Sequence, residues 1–178
     1  IKIIGDKSLS KRDFARVTKP LEKFGAKFIT NSGKLPITIE GTKTPRPINY
    51  DEKKGSAQCK SAVMLAAINT KGTTNIKAKK SRNHSELLFK YLKLPIKVIK
   101  KEKHDLIKIN GKKKIKSFNY KIPSDISSSA FFMILTALSD DSKLKIKNVN
   151  INQSRIGVIK ILKMMNVKIF LKNIKNYK

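Results

Sequence analysis

The chain has 178 residues and a mass of 20.1 kDa, with 41 basic against 12 acidic side chains and a formal charge of +29. That length allows one domain or a domain and a fraction, and 39% hydrophobic residues, eight Phe and four Tyr among them, suffice for a core and exclude wholesale disorder. The longest apolar runs, 62–68 and 130–138 (interrupted only by Thr136), fall short of the ~18 residues of a membrane span, and the single Cys59 excludes an intrachain disulfide framework and a cysteine-built zinc cluster, as suits a reducing cytoplasm.

Phe14, Val17, Leu21 and Phe24, spaced 3, 4 and 3, lie on one face of a first predicted helix, and Ala26-Lys27-Phe28-Ile29 then alternates as a strand does. Pro20 kinks that helix or marks its first turn, and Gly25 closes it. Gly33, Gly41 and Gly111 mark turns between short strands. Residues 61–68 are apolar nearly all round, as in a helix buried on every side; a turn at Lys71-Gly72 and a strand over 75–79 follow. Asn83 with Glu86 three residues later gives a capping-box-like start to a helix reaching about Leu92. Its apolar stripe is Leu87, Leu88, Tyr91 and Leu92, and a strand over 96–99 comes next.

Lys112-Lys113-Lys114 reads as a solvated loop or strand end, and Ile122-Pro123-Ser124-Asp125 as the best place for a domain crossing. Residues 129–135 predict a second helix buried all round, then a turn at Asp140-Asp141-Ser142 and a strand over 143–148. A last helix carries Val158, Ile161, Leu162 and Met165 ahead of a strand over 167–170. The pattern recurs: Lys27, Lys97 and Lys168 are 70 and 71 residues apart, and Arg12, Arg82 and Arg155 are 70 and 73 apart. Such a period exceeds the 20–50 residues of a solenoid rung, so each repeat is an α/β subdomain with helices packed on sheets.

The charge alone does not assign a partner. Only five basic residues are Arg, and Lys, Ile and Asn together fill 73 of 178 positions, an excess that AT-rich codon usage goes far to explain. The lysines are scattered, and the aromatic-studded strands of an RNA binder are absent from the sequence. A solvated Lys-rich surface without a nucleic-acid partner is the favoured reading; a Lys-rich nucleic-acid-binding α/β protein is the alternative, and it predicts salt-sensitive, substrate-independent binding.

His84 and His104 lack companions at metal-ligand spacing, and no Walker loop or Gly-x-Gly-x-x-Gly occurs, so neither metal nor cofactor is expected. Cys59 reads as an inert, partly buried thiol. What remains is three donor-rich clusters at helix starts: Ser8-Leu9-Ser10-Lys11-Arg12, Gly55-Ser56-Ala57-Gln58-Cys59-Lys60-Ser61 and Ser81-Arg82-Asn83-His84. Each alone reads as ordinary capping. Three on repeated subdomains point to an anion-binding cleft.

At these clusters the sequence resembles the 5-enolpyruvylshikimate-3-phosphate synthase family. The match runs in order through Gly5-Asp6-Lys7-Ser8-Leu9-Ser10-Lys11-Arg12, Arg16-Val17-Thr18-Lys19-Pro20-Leu21 and Ser56-Ala57-Gln58-Cys59-Lys60-Ser61-Ala62-Val63. It continues through Ser81-Arg82-Asn83-His84-Ser85-Glu86, Pro123-Ser124-Asp125-Ile126-Ser127-Ser128 and Asn152-Gln153-Ser154-Arg155. Thr44-Pro45-Arg46-Pro47-Ile48-Asn49-Tyr50 looks like the branch known for glyphosate-tolerant members.

The resemblance implies an α/β (α+β) fold of repeated βαβαββ subdomains, present incompletely. Residues 1–121 would be the later part of a first substrate-binding domain, and 122–178 the start of the second. The chain would be an internal fragment of a protein more than twice as long. The implied enzyme is a cytoplasmic transferase of the shikimate pathway to chorismate and the aromatic amino acids, a monomer when intact. It moves the enolpyruvyl group of phosphoenolpyruvate to the 5-hydroxyl of shikimate 3-phosphate and releases phosphate, with no cofactor. The family's N-terminal Lys-Ser and Arg contacts, its proton-transfer acid and its later Lys-Glu, Arg and Lys elements have no counterpart here, so the resemblance assigns no catalytic residue, and turnover by this chain alone is not expected. The UDP-N-acetylglucosamine enolpyruvyl transferases share the fold, but residues 8–12 and 56–63 argue against them.

By the same resemblance Ser56, Ala57 and Gln58 bind shikimate 3-phosphate, with Gln58 also near phosphoenolpyruvate; Arg12 binds phosphoenolpyruvate; and Ser81 and Arg82 lie in a second loop contacting shikimate 3-phosphate. Both substrates carry a phosphate and a carboxylate, which paired donors suit. Asp125 is expected to be structural, and Asn152 and Arg155 to cap or pack. Two positions depart from the family pattern: Asp13, where many members have Pro, would either pair with Arg12 or face solvent, and Asn166, where a Gly is common, tolerates the same left-handed backbone.

Overall fold

The chain begins with β1 (Lys2–Ile3), α1 (Lys7–Ser10), α2 (Ala15–Glu22), β2 (Lys27–Asn31) and β3 (Lys34–Glu40). The computed structural model describes residues 1–112 and 114–175; Lys113, in the middle of the basic segment, lies outside them. Two compact units emerge, Ile1–Ile115 and Lys116–Lys178.

In the first unit, β1, β3 and β2 form an antiparallel sheet in that order. Ser32 and Gly33, with φ of 49° and 76°, make the two-residue turn between β2 and β3 that suits the twist of paired strands. The predicted stripe of α2 is realised, with Phe14, Val17 and Leu21 partly buried and Phe24 buried. Pro20 falls in the body of the helix and not in its first turn; it is buried, and it lacks the N–H that would reach the Arg16 carbonyl. Gly25 ends the segment at φ 105°, its N–H donating to the Glu22 carbonyl at 2.8 Å.

There follow β4 (Asn49–Glu52), α3 (Ala57–Ile68), β5 (Thr73–Lys79), α4 (His84–Tyr91), β6 (Ile96–Lys100) and β7 (His104–Asn110), a complete βαβαββ order. The sheet runs β4-β5-β7-β6. β4 and β5 are parallel and need the crossover that α3 supplies, whereas β7 is antiparallel to both β5 and β6. Along β5, Thr74, Ile76 and Ala78 are buried while Asn75, Lys77 and Lys79 are exposed, which is how one-sided strands read. Val63, Met64, Ala67 and Ile68 of α3 cluster with Ile76, Ala78, Ile107 and Ile109 of the sheet and with Phe24, Phe89 and Leu94. Each large apolar side chain buried this way contributes roughly 1.5–3 kcal/mol, so α3 is the element on which the core is built. Its burial is not complete all round: Leu65 is exposed. The α2–β2–β3 and α4–β6–β7 segments are the structural form of the repeat, with Lys27 and Lys97 near the start of corresponding strands.

The face of α4 differs from the expected one. Leu87, Leu88 and Tyr91 are 36–49% exposed, and Glu86 and Phe89 are buried instead. Glu86 has an ionic partner on α3, Lys60, so the helix presents its Glu86–Phe89 edge inward. That ion pair also replaces the reach back to Asn83 expected of a capping box.

In the second unit α5 (Ile126–Ala137) and α6 (Gly157–Met164) touch each other. The strands expected over 143–148 and 167–170 do not form. A strand requires a ladder partner, and among the described residues this unit makes one isolated parallel bridge, Ser124 with Val149. Nor is α5 buried on every side: Ile126 is buried, whereas Phe131, Phe132, Leu135 and Leu138 are exposed. On α6 the buried pair is Ile159 and Leu162, with Ile161 and Met165 exposed. Asn166 ends α6 at φ 63°, the left-handed conformation its side chain tolerates.

Asp125 caps α5, accepting the Ser127 N–H at 3.0 Å, and Arg155 donates to both Asp125 and Ser127. The Ser127 N–H first, then the Arg155 guanidinium, hold the Asp125 carboxyl below the ordinary carboxylate value. A lowered folded-state pKa stabilises above the unfolded pKa, and the contribution is lost as pH falls through the folded value. Acid titration followed at the Ser127 amide by NMR is expected to show the cap persisting below the pH at which free aspartate protonates, and Asp125→Asn is expected to abolish that titration. An Asp125-linked midpoint at the ordinary carboxylate value would refute this.

Candidate functional site

The Ser56 cluster forms the start of α3, with residues 57–61 inside the helix. Ser56 is the N-cap, its Oγ accepting the Cys59 N–H at 3.2 Å. The remaining N–H groups of that turn carry the partial positive charge of a helix start, a surface that favours anions. Gln58 is exposed there, and its Oε1 accepts a hydrogen bond from Arg16 Nη2 at 3.2 Å across 42 residues of sequence. Arg16 stands in the first turn of α2, so this contact brings the first two repeats together at one edge.

Ser81 and Arg82 lie in the loop between β5 and α4. Because β4 and β5 run parallel, the segments leaving their carboxyl ends meet, as ligand-binding loops of α/β sheets do. The approach is close: a Cβ on Gly55 would stand 3.4 Å from the Lys80 carbonyl oxygen. Beneath this meeting point Lys60, 1% exposed, pairs with Glu86 at 2.6 Å and donates to the Arg82 carbonyl at 2.9 Å. Beside it, Ser61 and Ser85 hydroxyls are 2.6 Å apart. Ser61 spends its one hydrogen on the Ala57 carbonyl at 2.8 Å, so Ser85 is the donor in that pair. The Ser81 Oγ is buried, with no hydrogen-bond partner among the described residues. Arg82 is exposed.

The structure thus joins Ser56, Ala57 and Gln58 to Ser81 and Arg82 through α3. Arg12 follows α1, exposed, four residues before Arg16. Of the two expectations for Asp13 the solvent-facing one holds: the residue is exposed, with no salt bridge to Arg12 among the described residues, and its Oδ1 also accepts the Ala15 N–H at 2.7 Å at the start of α2. On β4, Tyr50 is pushed up to about 12, first by burial and then by Cys59, Glu52 and Asp51, so its hydroxyl stays neutral. Cys59 is buried. A groove of about 570 Å³ lies on the sheet, lined by Lys77, Lys97 and Lys108 among others, and none of the predicted site residues lines it. Among the described residues, no group of three His, Cys, Asp or Glu could hold a metal ion, and no helix is long and apolar enough to cross a membrane.

Arg16 has no role in the sequence-based expectations; Lys60, expected among the donors of an anion-binding cluster, is instead buried and paired with Glu86, the residue expected to close a capping box. The available signal was Lys60 itself, the one charge in the helix, set in its first turn.

The family model for EPSP synthase (3-phosphoshikimate 1-carboxyvinyltransferase) matches residues 1–176. The 3-phosphoshikimate 1-carboxyvinyltransferase of Ruthia magnifica subsp. Calyptogena magnifica is 42% identical over 172 residues, covering 96% of this chain and 39% of that protein. The protein of the same name from Caldicellulosiruptor bescii is 39% identical over 177 residues, covering 98% and 41%. A solved EPSP synthase from Acinetobacter baumannii superposes with a TM-score of 0.76 at 35% identity, covering 93% of this chain and 37% of that one. The chain therefore spans about two fifths of the length of the relatives it matches.

Proposed function

Because the chain belongs to the EPSP synthase family, we propose that it carries the shikimate 3-phosphate half of a site for enolpyruvyl transfer from phosphoenolpyruvate to the 5-hydroxyl of shikimate 3-phosphate, with phosphate released. The observation that carries this reading is the junction of the Ser56–Gln58 turn with the Ser81–Arg82 loop. Helix-start N–H groups, the Ser56 and Ser81 hydroxyls and the Arg82 guanidinium are donors suited to a phosphate or carboxylate, carried on two segments that approach at Gly55 and Lys80. The buried, unpartnered Ser81 Oγ supports it, since such an atom is costly unless something bonds to it. Gln58 and Arg12 face phosphoenolpyruvate in this reading, and Arg16 orients the Gln58 amide so that its N–H groups are free to donate. None of these residues acts as a proton donor or acceptor in the reaction. Residues 1–121 belong to the first substrate domain and 122–178 to the second. The enzyme is a cytoplasmic monomer of aromatic amino-acid biosynthesis, and residues 44–50 support membership of the glyphosate-tolerant branch.

Calorimetric titration of the chain with shikimate 3-phosphate tests this. Gln58→Ala and Arg82→Ala are each expected to weaken binding roughly 10- to 100-fold, the loss of one or two charge-assisted hydrogen bonds. Unchanged affinity in both variants, or no binding by a folded wild-type chain, would sink the half-site. A tight, salt-sensitive signal with an unrelated oligonucleotide would favour the nucleic-acid reading instead.

A further inference from the structure

We propose that Lys60 is a positioning residue for the anionic substrate: held by Glu86, its ammonium fixes the backbone from which Arg82 extends. This rests on the shikimate 3-phosphate reading for its ligand, but not for its geometry.

Lys60 is an unusual place to spend a charge. It is 1% exposed and sits one turn inside α3, whose neighbouring core positions are Cys59, Val63 and Met64. A buried ion pair adds little to stability compared with apolar side chains of similar volume, so its presence calls for another reason. The contacts supply one. The ammonium is ion-paired with Glu86 Oε1 at 2.6 Å and donates a hydrogen bond to the Arg82 carbonyl at 2.9 Å. Glu86 lies in the first turn of α4, four residues after Arg82. Lys60 thus ties three things at once: the turn of α3 that carries Gln58, the start of α4, and the loop residue between them. The Ser85-to-Ser61 hydrogen bond repeats the tie one residue along each helix. A loop with exposed side chains and few buried apolar contacts is otherwise free to open locally. Here its backbone is bonded to a buried cation, which presents the Arg82 side chain already ordered for its ligand.

Two readouts separate positioning from general support. The first is amide hydrogen exchange over residues 81–85, comparing wild type with Lys60→Met/Glu86→Leu, a double change that removes both charges. Exchange there is expected to be about tenfold faster while exchange in β5 and β7 is unchanged; equal rates in the loop would overturn the proposal. The second is a double-mutant cycle in shikimate 3-phosphate binding. Lys60→Met/Glu86→Leu is expected to weaken binding about tenfold, but to weaken it less than twofold in the Arg82→Ala background, because its effect passes through Arg82. Equal losses in both backgrounds would mean that Lys60 serves the fold alone. Should the double variant not fold, Glu86→Gln, which keeps shape and removes charge, carries both readouts in the same directions. If the folded wild-type chain does not bind shikimate 3-phosphate, the substrate reading fails, and the exchange rates still decide whether Lys60 holds the loop.

Discussion

Lys60→Met alone is expected to destabilise the chain by about 3–5 kcal/mol, because it leaves the Glu86 carboxylate buried without its counter-charge. The double change Lys60→Met/Glu86→Leu, by contrast, is expected to fall within about 1 kcal/mol of wild type, since two apolar side chains replace a pair whose attraction only offsets its own desolvation. Urea midpoints at unchanged slope measure both. The contrast matters more than either value: a single variant as stable as wild type would mean that the pair is not desolvated, and a double variant as unstable as the single would mean that packing, not charge, is what the site lacks.

Gly111→Ala is the other large effect, expected to cost about 3 kcal/mol or more, in the range of severe overpacking. Gly111 follows β7 at the point where the chain crosses the end of α3. Its N–H donates to the Gly72 carbonyl at 3.0 Å, and the next N–H, from Lys112, reaches the Ile68 carbonyl at 2.8 Å. A Cβ at position 111 would fall inside the van der Waals envelopes of the Thr70 and Ala67 carbonyl oxygens. Both are backbone atoms at the end of the most buried helix, so neither swings aside as a flexible side chain would. Gly157→Ala is the control: nothing lies within 4 Å of a Cβ there, and in the first turn of α6 alanine is expected to be neutral or to stabilise by up to about 1 kcal/mol. Thermal melts of the two variants compare them directly. A Gly111→Ala chain melting with wild type would show that β7 leaves the sheet by another path.

Local signals served the sequence reading well wherever one element carries its own instructions. The spacing of Phe14, Val17, Leu21 and Phe24 located α2, the apolar run at 61–68 located the helix that anchors the core, and Asn166 kept the turn that glycine usually makes. The family resemblance added the βαβαββ order, which residues 49–110 display in full. What stayed hidden depends on partners far away in the chain. Residues 143–148 and 167–170 alternate like strands, yet pairing needs a neighbour that periodicity does not supply. The stripe on α4 was misplaced because its orientation is set by an ion pair 26 residues back, at Lys60, and Glu86 was read as a cap for the same reason. Ser56, Gln58, Ser81 and Arg82 were legible as donors at helix starts; that Arg16 meets Gln58 was not, since the two are 42 residues apart.

The position of β7 in the sheet sets an order on biosynthesis. It is the last strand of its subdomain to be made, yet it lies between β5 and β6 and is the only partner β6 has in that sheet. A nascent chain that has emerged only as far as residue 103 therefore holds β5 with one edge unpaired and β6 with no ladder at all, while Ile76 and Ala78 lack the Ile107 and Ile109 that share their core cluster from the next strand. Unpaired edges of this kind template wrong associations. During translation the interval of greatest vulnerability runs from the emergence of β5 to that of β7, and a ribosome stalled within it would release a polypeptide prone to aggregate, whereas one stalled a few residues later would release a sheet with every strand in place.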